Sequence, residues 1–163
     1  MFTKGTDRDY IEARRSDGTI AKTTFPKKGR FPHDAVHFVV EKVLRYETAF
    51  WGRVFAGADP AEIAAVAKAG GHASSTRACL PDERIVELIQ AERIVECFEA
   101  EMWGGASESK TFQSVLEAAC THSKVPNPNI SDVAIHAIRA ELADLSADWR
   151  KLAVGGTLIL RWP

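Results

Sequence analysis

FPHDAVHFVVEKVLRY, residues 31–46, is the stretch on which the reading of this chain turns. Pro32 lacks an N–H and has a fixed φ, which suits the first turn of a helix, so a helix is predicted over 32–46. At about 100° per residue, Val36, Val39, Val40, Val43 and Leu44 fall in one sector, with Asp34, Lys42 and Arg45 opposite. One face of this helix must therefore meet a core. The same helix carries His33, His37 and Glu41 at successive four-residue steps, which places them along one ridge of its surface.

Upstream, RDYIEARRSDGTIAKTTF (8–25) alternates on either side of Ser16-Asp17-Gly18, and Asp-Gly tolerates the positive φ of a tight turn. A hairpin is predicted there. Downstream, a short helix over 47–57 stops at Gly57, and Asp59-Pro60 caps and opens a third helix that Gly70-Gly71 ends. GGHASSTRACLP reads as a surface loop. Pro81-Asp82-Glu83 opens a long helix to about 102, another runs over 108–123, and Ser131-Asp132 starts a last one to about 151. GGTLILRWP (155–163) is a turn followed by a β-type run. Because a lone strand must pair, the C-terminal run is expected to join the hairpin in a three-stranded antiparallel sheet. The predicted class is α+β: about six helices and a small sheet built from the N-terminal hairpin and the C-terminal strand.

The chain has 163 residues, 45% of them hydrophobic and 26% charged, which favours one domain over 1–163. No apolar run approaches the roughly 20 residues of a membrane span, and MFTKGTDRDY has no signal-peptide core, so a cytoplasmic protein with no membrane partner is expected. Cys79, Cys97 and Cys120 are widely spaced and odd in number, which suits free thiols. A net charge of −1 argues against nucleic acid as a partner, and the basic PKKGR loop has no aromatic stacking platform beside it. Lys22, Lys27, Lys28 and Arg30 are nonetheless clustered, while 82–101 is acidic; both are expected to be solvated surfaces.

The residues that can carry chemistry begin with the histidine ridge. Its spacing is that of helical metal ligands, although the glutamate of an H-E-x-x-H motif is replaced by Asp34. His33 and Glu41 are about 12 Å apart along the axis, so at most two of the set His33, His37 and Glu41 can reach one divalent ion such as zinc. Further ligands would come from His72, His122, His136, Cys79, or Glu92, Glu96 and Glu99. The competing reading makes the histidines polar contacts between helices. Glu92, Glu96 and Glu99 form a stripe, with Glu92 and Glu96 on the side of the helix that Ile85 and Ile89 occupy; a bend or exposure is the preferred explanation, and attraction to a basic or metal partner the other. Phe50, Trp51 and Phe55 are expected in the core, with an aromatic cavity wall beside His37 and Glu41 as the alternative. Ser74-Ser75 near His72 is too short a coincidence to define a nucleophile.

Two resemblances follow from these residues. His33-Asp34 is the dipeptide of the HD phosphohydrolases, but no histidine precedes residue 33, so the first ligand of their His…HisAsp…Asp set is absent. More closely, FPHDAVHFVVEKVLRYETAFWGRVFAG together with ADWRKLAVGGTLILRWP resembles a set of small uncharacterised bacterial proteins. These combine a PHD-x-x-H-x-x-V-E helix, an FWG-x-x-x-x-G segment and a C-terminal tryptophan-rich strand. The resemblance covers the N-terminal third and the last few residues, and it draws attention to Pro32, His33, Asp34, His37, Glu41, Phe50, Trp51 and Gly52 without implying a reaction. The expected function is a non-catalytic binding or interaction protein of unknown small-molecule or protein partner, and a homodimer through an edge strand at 157–162; the alternative is a metal-dependent hydrolase using the His/Glu helix face. The candidate pocket is His33, Asp34, His37, Glu41 and Trp51.

Overall fold

The computed structural model describes residues 1–27, 29–70 and 80–163. Lys28, His72, Ser74-Ser75, Cys79 and most of the GGHASSTRACLP loop lie outside the described residues. Four strands, β1 (Phe2–Thr3), β2 (Arg8–Arg14), β3 (Ile20–Pro26) and β4 (Thr157–Leu158), form one antiparallel sheet of order β3-β2-β1-β4. Among the described residues the sheet is accompanied by six α-helices: α1 (His33–Leu44), α2 (Phe50–Phe55), α3 (Pro60–Ala69), α4 (Val86–Gly104), α5 (Ser109–His122) and α6 (Asp132–Lys151). The α+β class, the N-terminal hairpin and the C-terminal strand stand as expected from the sequence. No described helix is long and apolar enough to cross a membrane.

The hairpin turn follows from its chemistry. Gly18 takes φ 84, its N–H donates to the Arg15 carbonyl at 3.1 Å, and Asp17 Oδ1 accepts from the Thr19 N–H at 2.8 Å. Register then runs from Arg14 opposite Ile20 to Arg8 opposite Pro26. Along β2, Asp9, Ile11 and Ala13 are buried, so the period-2 alternation turns one sheet face to the helices.

The C-terminal strand does not pair with the hairpin directly. β1 lies between them, with Phe2 opposite both Ile11 and Leu158. A two-residue strand holds too little pattern to be read from sequence, and β4 is itself shorter than the predicted 157–162. Beyond it the chain packs through side chains: Trp162 stacks on Phe55 with centroids 5.2 Å apart and meets Phe38 edge-on.

Helix α1 packs against α2, α4 and α6. Val36, Phe38, Val39 and Val40 are almost wholly removed from water, each burial stabilising by about 1.5–3 kcal/mol. Arg45 ends the helix at φ 55, and the Tyr46 N–H returns to the Glu41 carbonyl at 2.9 Å, which reverses the chain into α2. Gly52 is needed there because a Cβ would lie 2.4 Å from the Tyr46 carbonyl oxygen. Before α4 the predicted helix start is a single 3-10 turn, Glu83–Ile85, capped by Asp82. Lys4 anchors the sheet to the C-terminus of α6, donating from Nζ to the carbonyls of Trp149 (3.0 Å) and Leu152 (2.8 Å). Of the basic N-terminal residues, Lys22 and Arg30 are exposed, as expected; Lys22 pairs with Glu12 at 3.2 Å, and the Arg30 guanidinium lies over the Trp103 ring at 5.6 Å.

Candidate metal centre

The first two turns of α1 lie against the middle of α4, and this crossing brings the histidine ridge to the acidic stripe. His37 Nε2 is 3.1 Å from Glu92 Oε2, and His33 Nε2 is 3.8 Å from the same oxygen. The two rings are neighbours, with centroids 4.8 Å apart at 72°. Each imidazole is fixed at its other nitrogen by a second carboxylate. His33 Nδ1 lies 3.0 Å from Glu99 Oε1, and His37 Nδ1 lies 3.3 Å from Glu41 Oε1. The site thus consists of two histidine–carboxylate pairs whose Nε2 atoms converge on one shared carboxylate.

With an ion at Nε2, the carboxylate at each Nδ1 would keep the proton there, the arrangement in which metal-ligating histidines are commonly held. One ligand atom from each of His33, His37 and Glu92 can be chosen so that all lie within 4.8 Å of one another, close enough to share an ion. The preferred reading of the stripe as exposed, with a helix bend to account for Glu92 and Glu96, needs correction at Glu92 and Glu99: both turn toward the imidazoles of α1. Glu96 differs, pairing with Arg93 at 2.7 Å with its side chain about half exposed.

Glu41 stands apart from the converging set. It is fully buried, with Oε1 turned to His37 and Oε2 accepting the Trp51 backbone N–H at 2.6 Å. That N–H is one of the unpaired donors at the start of α2, so a carboxylate of one helix caps the next and orients the imidazole between them. The separation of about 12 Å between His33 and Glu41 along α1 keeps Glu41 from joining His33 at one ion.

Trp51 does not line the site. Its indole Nε1 donates to the Asp34 carbonyl at 2.9 Å and its ring packs with Phe2, Phe38, Phe50 and Phe55, so it belongs to the core. Phe50 supplies the aromatic wall instead, beside a cavity of about 440 Å³ that Asp34, His33, His37 and Glu92 also line. His122 and His136 are exposed on α5 and α6 and take no part in the cluster.

Electrostatics tie the cluster together. Burial alone would favour neutral imidazoles, but Glu92 and Glu99 overcome it at His33 and raise its pKa to about 10. At His37 the same burial is outweighed by Glu41 and Glu92, which raise the pKa to about 9. Burial pushes Glu92 upward, yet the two imidazoles hold it well below the usual carboxylate range. The carboxylates on both sides of each ring thus favour the protonated imidazoles.

No protein-family model, curated protein or solved structure matches the chain. What the site does must be argued from its own atoms. Sequence reasoning reached His33 and His37 and named Glu92 and Glu99 among further ligands, whereas Glu41, which it offered as a ligand beside the histidines, lies outside the converging set. The signal that could have promoted Glu92 was its place on the apolar side of α4, where an acid needs a partner.

Proposed function

We propose that this protein is a metal-dependent hydrolase whose divalent ion, zinc in the first instance, is held by His33, His37 and Glu92. The observation that supports this reading is the convergence of three ligand atoms within 4.8 Å from two helices, with each imidazole already oriented through Nδ1. Two imidazoles and a carboxylate form a donor set used by catalytic zinc, which keeps its fourth tetrahedral position for water. The sequence-based preference for a binding protein without chemistry rested on an incomplete set of donors, and Glu92 supplies the third.

An ion held by His33, His37 and Glu92 would supply a bound water of lowered pKa, and so a nucleophile near neutral pH, for hydrolysis of a substrate in the adjoining cavity. Within the protein, Glu41 and Glu99 hold the imidazoles against rotation, and the adjoining cavity positions the substrate.

The test is elemental analysis of protein purified without a histidine tag or chelator, before and after dialysis, followed by titration with zinc. About one equivalent per chain is expected, lost in His37→Ala and Glu92→Ala while far-ultraviolet circular dichroism keeps its helical signal. No ion retained and none taken up would overturn the metal site. An ion bound at that stoichiometry, with no metal-dependent turnover of aryl esters or aryl phosphates, would overturn the hydrolase assignment and leave a metal-binding protein.

A further inference from the structure

The cavity beside the cluster carries a chemical preference of its own. Its apolar wall is made by Phe25, Phe31, Phe50, Ile63, Leu88 and Trp149, drawn from the sheet, the loop before α1 and four helices. At about 440 Å³ it falls within the range that encloses a small organic molecule. The charges in the wall are unbalanced: Lys4, Lys27, Arg30 and Lys68 face three carboxylates, Asp9, Asp34 and Glu92.

All three carboxylates, Asp34 included, are already engaged. Glu92 lies between the two imidazoles. Asp9, buried on the inner face of β2, accepts the Gly5 N–H at 3.1 Å and has Lys27 Nζ at 4.0 Å. The cations are less well matched. Among the described residues Lys4 bonds two backbone carbonyls and no acid, Arg30 stacks on Trp103 without an acid, and Lys68 has no ion pair. Any ion held by His33, His37 and Glu92 would add positive charge to the same wall.

We infer that the cavity takes a small amphipathic anion, an aromatic or aliphatic body bearing one carboxylate or phosphate. The apolar wall would remove its body from water, and the uncompensated cations would receive its charged end. As a substrate class for hydrolysis this rests on the metal reading; as a statement about binding it stands on the cavity alone. The excess of unpaired cations in the wall disfavours a cationic ligand, since an amine would meet Lys4, Arg30 and Lys68 without gaining a free acid.

The test uses four probes of one shape, 3-phenylpropionate, phenyl phosphate, 3-phenylpropanol and 3-phenylpropylamine, titrated calorimetrically into the full chain, both chelator-stripped and zinc-treated, with metal content measured on the same samples. At least one of the two anions is expected to bind about tenfold or more tightly than the alcohol, and the amine not at all. Whichever anion binds better identifies the headgroup. The double substitution Arg30→Gln and Lys68→Gln, at two exposed positions, should bring the anion close to the alcohol without moving the alcohol, and Ala67→Trp should block all binding by filling the cavity. Equal binding of alcohol and anions, tighter binding of the amine, or indifference to the charge substitutions would overturn the inference. Zinc uptake without anion preference sinks this inference and spares the metal site; anion preference without zinc uptake does the reverse.

Discussion

His37 and Glu92, 55 residues apart in the chain, meet at 3.1 Å between Nε2 and Oε2, and the polar chemistry of the molecule is organised around that contact. It joins α1 to α4 at the wall of the cavity that Phe50 also lines. On the far nitrogen of the same imidazole, Glu41 completes a line of three groups that runs from the cavity to the N-terminus of α2.

Glu41→Gln separates the two duties of that buried carboxylate. A glutamine has one acceptor oxygen where the Trp51 N–H and the His37 Nδ1–H both need one, so one buried donor loses its partner. The expected cost is about 1–3 kcal/mol of stability, read as a shift of the urea midpoint without a change in slope. Zinc affinity is expected to fall by about 10–100-fold in the same variant, since imidazole orientation depends on this contact. An unchanged midpoint would show that the carboxylate is not needed as an acceptor.

Metal uptake and protons compete at the same nitrogen atoms. Ligation requires neutral imidazoles, so zinc binding is expected to release protons and to weaken as pH falls. Calorimetry in buffers of different ionisation enthalpy measures the release directly. Proton-independent binding would place the ion elsewhere.

Acid stability should report a second carboxylate. Glu101 of α4 receives Arg139 of α6 through both oxygens, at 2.8 and 2.7 Å, and the Ser107 N–H at 3.0 Å. Burial raises its pKa, but these bonds prevail and hold it below the ordinary carboxylate value of 4.5. A depressed pKa contributes stability that is fully present above the unfolded value and lost as pH falls through the folded one. The expected outcome is a loss of stability on acidification below about pH 4.5 that is shallower in Glu101→Gln, measured by urea titration at stepped pH. Parallel profiles for the two proteins would remove Glu101 from the account.

The α1–α2 junction offers a pair of substitutions with opposite signs. Gly52→Ala would drive a Cβ to 2.4 Å from the Tyr46 carbonyl oxygen and 2.5 Å from that of Glu47, both backbone atoms that cannot swing away; a loss of about 1–3 kcal/mol is expected. Arg45→Gly instead relieves a left-handed residue at φ 55 on an exposed site, with an expected gain of up to about 1 kcal/mol. Thermal melts of the two variants should move in opposite directions from the parent.

Legibility differed sharply along the chain. The α1 stripe, the Asp17-Gly18 turn and the proline and serine helix starts depend on neighbours within a few residues, so their patterns survive in the sequence. β1 did not survive, because Phe2 and Thr3 alone cannot show alternation and acquire strand geometry only between β2 and β4. The Glu92–Glu96–Glu99 stripe looked like a solvated face with a wheel anomaly; only the crossing of α1 over α4 explains why Glu92 and Glu99 turn inward and Glu96 does not.

By itself the sequence determined which residues share a helix face: His33, His37 and Glu41 had to lie along one ridge because 3.6 residues make a turn. The tertiary structure decided what that ridge meets. It set Glu92 between the two Nε2 atoms, gave Glu99 and Glu41 to the two Nδ1 atoms, and moved Trp51 into the core while Phe50 stayed at the cavity. Helical periodicity fixes directions about one axis, whereas a site with donors from two helices also depends on how those axes cross, and that is set by the packing of the whole core.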